Sequence, residues 1–358
     1  VHRALAKGKL RAAIVGVTGM VGQQYVRMLE NHPWFEISTL VGNRSAGKLY
    51  GEAVEWIDSY EPSERIMNMP VRVANPESDD VDVVFASLPT EAAYQLDTRY
   101  AARFPTVSDA SSYRMEPDVP LLIPEVNPDH LSLLEAQRRG RGWRGLLVTS
   151  PNCTATGLAM VLKPLHDAYR LRKVVVSTLQ ALSGAGYPGV PSLRIIDNVI
   201  PYIKGEEDKV AAETKKMLGK LTDSGTVSPD PVGISVMVHR VATIDGHLES
   251  AYIETERPVD VEEAKEILRD FRGRPQEMKL PTAPERPIIV REEEDRPQPR
   301  LDRMAGSVPG MSVVVGRVRR GLDERSLRLT LLSHNTIRGA AGNAILIAEM
   351  MRELGYLG

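Results

Sequence analysis

The chain has 358 residues, 42% hydrophobic and 26% charged, with 45 basic against 47 acidic side chains and a net charge of −2. That balance argues against a nucleic-acid binder, and no apolar run reaches the roughly 18 residues of a membrane span. The length implies two domains, the opening VHRALAKGKLRAA lacks the apolar core of a signal peptide, and a single cysteine excludes an internal disulfide or a cysteine-rich metal site and fits a reducing cytoplasm.

Leu10 to Val15 is a short apolar run and reads as a buried strand. It ends at Gly16-Val17-Thr18-Gly19-Met20-Val21-Gly22. Val21, Tyr25, Met28 and Leu29 then recur at helical spacing, and Asn31-His32-Pro33 stops that helix. Phe35 to Val41 reads as a second strand, Val81 to Leu88 as a third, and Pro105 to Ser108 starts another. Strands alternating with helices predict a doubly wound α/β sheet of the Rossmann type. After about residue 170 the texture changes. Strand candidates are Val174–Leu179, Ile234–Val238, His247–Ile253, Met311–Val318 and Leu327–Leu331, with helices such as Val261–Phe271 between them. Leu327, Leu329 and Leu331 alternate with Arg328 and Thr330, as in a half-exposed antiparallel sheet. The expectation is an α+β second domain with a mixed or antiparallel sheet. The proline-rich stretch 273–310 reads as an irregular connection, the charge run Arg291–Asp295 as solvated surface, and Gly339 to Leu354 as a helix packing back on the first domain. The division is therefore 1–151 for dinucleotide binding, completed by 335–358, and 152–334 for catalysis and assembly.

Gly16, Gly19 and Gly22 fit a G-x-x-G-x-x-G variant of the dinucleotide fingerprint, placed after a strand and opening a helix. Backbone amides at such a turn approach a pyrophosphate closely. Thr18, Met20 and Val21 of the same loop, and Ser87 and Leu88 at the end of the third strand, join the expected cofactor contacts. The end of the second strand carries no carboxylate for a ribose 2′-hydroxyl. It carries Arg44, Ser45 and Lys48, donors suited to a 2′-phosphate, which favours NADP over NAD.

The lone cysteine stands in Ser150-Pro151-Asn152-Cys153-Thr154, between an apolar strand and a helix whose face is Leu158, Val161, Leu162 and Leu165. Asn152 or Ser150 can cap that helix, and Pro164 is expected to kink or break it. A helix N-terminus stabilises a thiolate, and a thiolate beside a nicotinamide implies acyl chemistry, in which a thioester accepts hydride. The base is open among seven histidines. His2 is terminal, His32 ends a helix, and His130 and His166 lie in polar helical contexts. His239, His247 and His334 remain.

The chain resembles the aspartate-semialdehyde dehydrogenases, in particular the archaeal and fungal type. The resemblance runs through GVTGMVG, NRSAGK, SDASSYRM, SPNCT, STLQALSGAGYPG, IKGEEDKVAAET, HRVATIDGH and HNTIRGAAGNA, in the family's order. It implies that Cys153 is the nucleophile, that His247, seven residues after Arg240, is the acid/base, and that Gln180 positions the thiohemiacetal. It further implies that Arg240 binds the α-carboxylate and Glu206 the α-amino group. Lys209 and Arg114 would hold the phosphoryl group and Asn152 would orient the acyl phosphate. Asn335 and Thr336 would lie near the nicotinamide, and Ser183 and Gly184 near the cofactor phosphates. The implied reaction is NADPH-dependent reductive dephosphorylation of L-aspartyl 4-phosphate to L-aspartate 4-semialdehyde, serving lysine, threonine and methionine synthesis. The expected partners are substrate and phosphate, no metal, and a second copy or more in a homodimer or homotetramer. Two alternatives are a reductase of N-acetylglutamyl phosphate and a paralogous acyl-CoA reductase of the malonyl-CoA type. A third is a nucleotide-sensing or assembly protein with a dead site.

Overall fold

The computed structural model describes residues 8–57 and 60–357; the readings made on the first seven residues, His2 included, lie outside them. Six strands form the first sheet: β1 (Leu10–Val15), β2 (Phe35–Val41), β3 (Val71–Arg72), β4 (Val83–Ala86), β5 (Pro105–Ser108) and β6 (Leu146–Thr149). Their order is β3-β2-β1-β4-β5-β6, all parallel. Their continuous apolar runs follow from burial on both faces. The order reverses between β1 and β4, which opens a crevice at the carboxyl ends of those strands. Helix α1 (Met20–Leu29) buries Tyr25, Val26 and Leu29 against the sheet; Val21 and Met28 only flank that face. At two residues, β3 is too short for any periodicity to reveal.

The second sheet runs β8-β7-β9-β12-β11-β10, with β7 (Leu171–Gln180), β8 (Gly233–Arg240), β9 (His247–Thr255), β10 (Ile288–Val290), β11 (Val313–Arg320) and β12 (Ser326–Ser333). The β7–β8 and β10–β11 pairs are parallel and the others antiparallel, so the sheet is mixed. In β12, Leu327, Leu329 and Leu331 are buried while Arg328 is exposed, as the alternation requires. The inward face is covered by α2 (Cys153–Tyr169) and α3 (Glu206–Leu218). The outward face leaves Val175, Leu179 and Met237 exposed.

Two expectations are corrected here. The 273–310 stretch is not wholly irregular, because Ile288–Val290 pairs with β11. The charge run lies on the surface as expected, with Glu292 to Asp295 exposed, while Arg291 reaches in to the fully buried Asp302. Pro164 does not break α2, which continues to Tyr169. The helix is packed by apolar neighbours on both sides of Pro164, and tertiary burial offsets the lost backbone hydrogen bond.

The chain returns to the first core at its end. A wide turn over Ile337–Ala341, with amides reaching back five residues from Gly339 to His334 and from Ala341 to Thr336, precedes α4 (Gly342–Glu353). Such π-type turns concentrate at functional sites. Ala344, Ile345, Leu346 and Ile347 of α4 join the core of the parallel sheet. Asn343 donates to the carbonyl of Leu122 at 2.9 Å and to Ser150 Oγ at 3.1 Å.

Candidate active site

The crevice beside β1 and β4 is a cleft of ≈ 490 Å³. One wall is the glycine turn. Gly19, Met20 and Val21 line it, with Ser87 and Leu88 from the end of β4 beside them. Gly22 lies beneath: a Cβ there would stand 2.3 Å from the Gly16 carbonyl oxygen. The turn closes against the first turn of α1 only without a side chain, and the Gly19–Val21 segment is left free to face the cleft. Thr18 turns its carbonyl to the Gln23 side chain at 3.3 Å. Arg44 and Lys48 stand exposed after β2, and Ser45 is buried under Gly42. This cradle fits a dinucleotide by its shape.

The opposite wall carries Arg114, Asn152, Cys153, Ser183, Gly184, Asn335 and Thr336. Cys153 is the first residue of α2. Asn152 caps it, its Oδ1 accepting from the amides of Thr154 at 2.9 Å and Ala155 at 3.1 Å. Cys153 Sγ lies 3.2 Å from His247 Nε2. The other ring nitrogen, Nδ1, accepts the Ala181 amide at 3.1 Å. A neutral ring must then carry its proton on Nε2, pointed at the sulfur. Of the three histidines left open, His247 is the one at the thiol. His239 Nδ1 instead lies 3.2 Å from the Thr178 carbonyl on β7, and His334 is buried near the turn into α4. His130, expected in a polar context, is fully buried between Asn127 and the Gly219 carbonyl.

Burial governs the electrostatics. The Cys153 thiol is pushed up to about 12, first by burial and then by the charge of Glu206; Arg114, Arg240 and the Thr154 amide pull it down. The expectation that the helix N-terminus yields a resting thiolate is therefore corrected. A helix end supplies only about 0.3–1 kcal/mol, less than the cost of burying an anion. His247 is driven down to about 3 by burial and by the charges of Arg240 and His334. At neutral pH the pair is a thiol beside a neutral imidazole.

Around the pair, Arg240 is buried and donates from Nη1 to the Ala181 carbonyl at 2.6 Å. Gly184 packs against both partners; a Cβ there would lie 2.8 Å from Arg240 Nη1 and 3.0 Å from His247 Cε1. On the far side a Cβ at Gly339 would lie 2.8 Å from that of Cys153. Glu206 opens α3 and accepts from Asn152 Nδ2 at 3.0 Å and from Thr154 Oγ1 at 3.3 Å. Gln180, buried at the end of β7, donates to Thr178 Oγ1 at 3.3 Å. Asn335 accepts the Gly246 amide at 2.8 Å and donates to Ser183 Oγ at 2.7 Å, tying the turn before α4 to the loop after β7. Lys209 is exposed one turn along α3 from Glu206, outside the cleft lining.

Sequence reasoning passed over Asp109 and Tyr187, which line the cleft, and Gly339, though all three lie within quoted motifs. Asp109 is held up to about 6 by burial. It also passed over Glu249, two residues along β9 from His247. That side chain is fully buried, neither carboxyl oxygen has a hydrogen-bond partner, and burial, with the Glu206 charge second, holds it well above the usual carboxylate range.

A dinucleotide cradle faced by a half-buried cysteine in contact with a buried histidine defines an oxidoreductase of the covalent, cysteine-dependent class. Residues 11–134 match the semialdehyde dehydrogenase NAD-binding domain, and residues 162–338 match the semialdehyde dehydrogenase dimerisation domain. The chain is 48% identical to the aspartate-semialdehyde dehydrogenase of Methanothermobacter thermautotrophicus, over 96% of this chain and 99% of the relative. It is 42% identical to the malonyl CoA reductase (NADP) of Metallosphaera sedula, over 97% and 98% respectively. It superposes on the crystal structure of aspartate-semialdehyde dehydrogenase with NADP from Candida albicans with a TM-score of 0.88, at 38% identity over 96% of this chain and 98% of that one. The chain belongs to the aspartate-semialdehyde dehydrogenase family.

Proposed function

We propose that this chain reduces L-aspartyl 4-phosphate to L-aspartate 4-semialdehyde with NADPH, through a thioester on Cys153. The observation that carries the reading is the 3.2 Å contact of Cys153 Sγ with His247 Nε2 on the wall of the cleft that faces the glycine turn. The Cys153 thiol gives its proton to the departing phosphate as its sulfur attacks the acyl carbon, the C–O bond to phosphate breaks, and inorganic phosphate leaves. The bound dinucleotide supplies the hydride that reduces the thioester. The resulting thiohemiacetal collapses with cleavage of its C–S bond, which releases the aldehyde and restores the sulfur. His247 holds its proton at Nε2, where it serves the sulfur and the developing oxyanion. Its neutral state fits it to donate without a resting positive charge. Gln180 orients the tetrahedral carbon. Arg240 receives the α-carboxylate through its guanidinium fork, and Glu206 the α-ammonium. Arg114 and Lys209 take the phosphoryl oxygens, and Asn152 steadies the acyl phosphate beside its cap.

Arg44, Ser45 and Lys48, with no carboxylate at the end of β2, support NADP over NAD. Residues 1–151 and 335–358 serve the dinucleotide; residues 152–334 serve catalysis and assembly. Subunits pair through the outward face of the mixed sheet, where Val175, Leu179 and Met237 are exposed, to give a dimer or a pair of dimers in the cytoplasm. The test is reduction of NADP by aspartate semialdehyde plus phosphate, abolished by a thiol alkylator. Turnover of malonyl-CoA with NADPH and none of aspartate semialdehyde would replace this reading with that of an acyl-CoA reductase.

A further inference from the structure

The mechanism leaves Glu213 without a task. It lies on α3 seven residues after Glu206, two turns along the same face, and is 2% exposed. Its two oxygens go to two different segments. Oε1 accepts from Arg114 Nη1 at 3.0 Å, and Oε2 accepts from the backbone N–H of Asn152 at 2.6 Å. The first partner is a cationic side chain in the cleft wall; the second is the residue that precedes the nucleophile. Arg114 also donates from Nε to the Ser150 carbonyl at 2.9 Å and from Nη2 to the Asp109 carbonyl at 2.6 Å. A guanidinium has five N–H groups, so these three bonds leave two for a ligand. Lys216, on the same helix, donates to the carbonyls of Arg114, Glu116 and Val119 at 2.7, 2.9 and 3.1 Å. One helix thus holds the Arg114 loop through Glu213 and Lys216, and the nucleophile segment through Glu213 and Glu206.

We propose that Glu213 is a positioning residue that sets the Arg114 guanidinium against Cys153 by holding both of their segments on one carboxylate. The inference rests on the reading of Arg114 as a ligand of the phosphoryl group. A buried carboxylate between a buried guanidinium and a backbone amide restrains both partners. Phosphoryl oxygens taken by the two remaining N–H groups are then fixed relative to the sulfur that attacks or is displaced. The register is what matters, because a small misplacement of a reacting group is costly in rate.

The two arms separate by substitution. Glu213→Gln keeps an acceptor for the Asn152 amide but turns an NH₂ toward Arg114, which releases the guanidinium alone. Glu213→Ala releases both. In the phosphorylating direction, with aspartate semialdehyde, NADP and inorganic phosphate, Glu213→Gln is expected to raise KM for phosphate about tenfold and to leave KM for aspartate semialdehyde within about twofold. Its rate of Cys153 alkylation stays at the parent value. Glu213→Ala is expected to lower kcat as well and to change the alkylation rate. A Gln variant that melts within about 3 °C of the parent yet leaves KM for phosphate unchanged, or moves both KM values together, overturns the inference. Arg114→Ala is the control. If it raises KM for phosphate while Glu213→Gln does not, the inference about Glu213 fails alone. If Arg114→Ala leaves KM for phosphate unchanged, the assignment of Arg114 fails first and the inference falls with it.

Discussion

The two walls of the cleft are built by opposite means. The cofactor wall is mostly backbone, from one contiguous turn, Gly16 to Gly22, that follows β1 and opens α1. The reaction wall draws its side chains from separate segments, with Arg114, Asn152, Cys153, Ser183, Asn335 and Thr336 on the cleft and the buried Glu206, Arg240 and His247 behind them. The first wall needs only the absence of side chains at chosen positions. The second needs charged groups held without water, so each depends on its neighbours for both place and protonation. A backbone cradle should therefore fail locally when altered, and a buried side-chain site should fail as a unit.

The sharpest break is at Gly184. An alanine there meets Arg240 and His247 at once, and kcat is expected to fall by about 100-fold or more, well beyond any loss of NADP affinity. Steady-state kinetics beside a dinucleotide titration checks this; a fall in NADP affinity alone would erase the distinction between the walls. The reverse experiment is Arg44→Ala on the cofactor side. It should weaken NADP about tenfold while leaving NAD use and Cys153 alkylation as they were. A loss shared equally by NAD and NADP would remove Arg44 from the 2′-phosphate.

Protonation sharpens the contrast further. With the thiol held up to about 12, the rate of alkylation by iodoacetamide should rise about tenfold per pH unit from pH 7 to 10, without a plateau. Removing the nearby negative charge in Glu206→Gln lowers the thiol pKa, so that variant should react several-fold faster at pH 8. A plateau below pH 8 in the parent would mean a resting thiolate. The smallest effect is on stability. Glu249 keeps in the folded protein a proton that the unfolded chain loses above the ordinary carboxyl range. Stability is thus lost as pH rises through that range. Glu249→Gln should melt above the parent at pH 8, with the difference shrinking toward pH 4. A constant difference across that range would show that ionisation plays no part.

The same contrast explains what could be read from sequence. The glycine turn, the strands around it and the lone cysteine are local features, and each was legible. Asn152 as a cap was legible because capping is a matter of two or three residues. Glu213 was not. In Glu206-Glu207-Asp208-Lys209-Val210-Ala211-Ala212-Glu213-Thr214 it is one acidic residue among several, and only its spacing from Glu206 hinted at a shared face. The protonation state of Cys153 was misread because a helix end is visible in sequence and desolvation is not. The short strands β3 and β10 were invisible for want of length, and Pro164 misled because local preference yields to packing.

The central claim is that the acyl group passes through Cys153. Incubating the enzyme with aspartate semialdehyde and NADP, without phosphate, should yield about one NADPH per active site and an aspartyl thioester on the peptide that contains Cys153, read by mass spectrometry and released on adding phosphate. NADPH formed with Cys153 unmodified, or an adduct on any other residue, would contradict it.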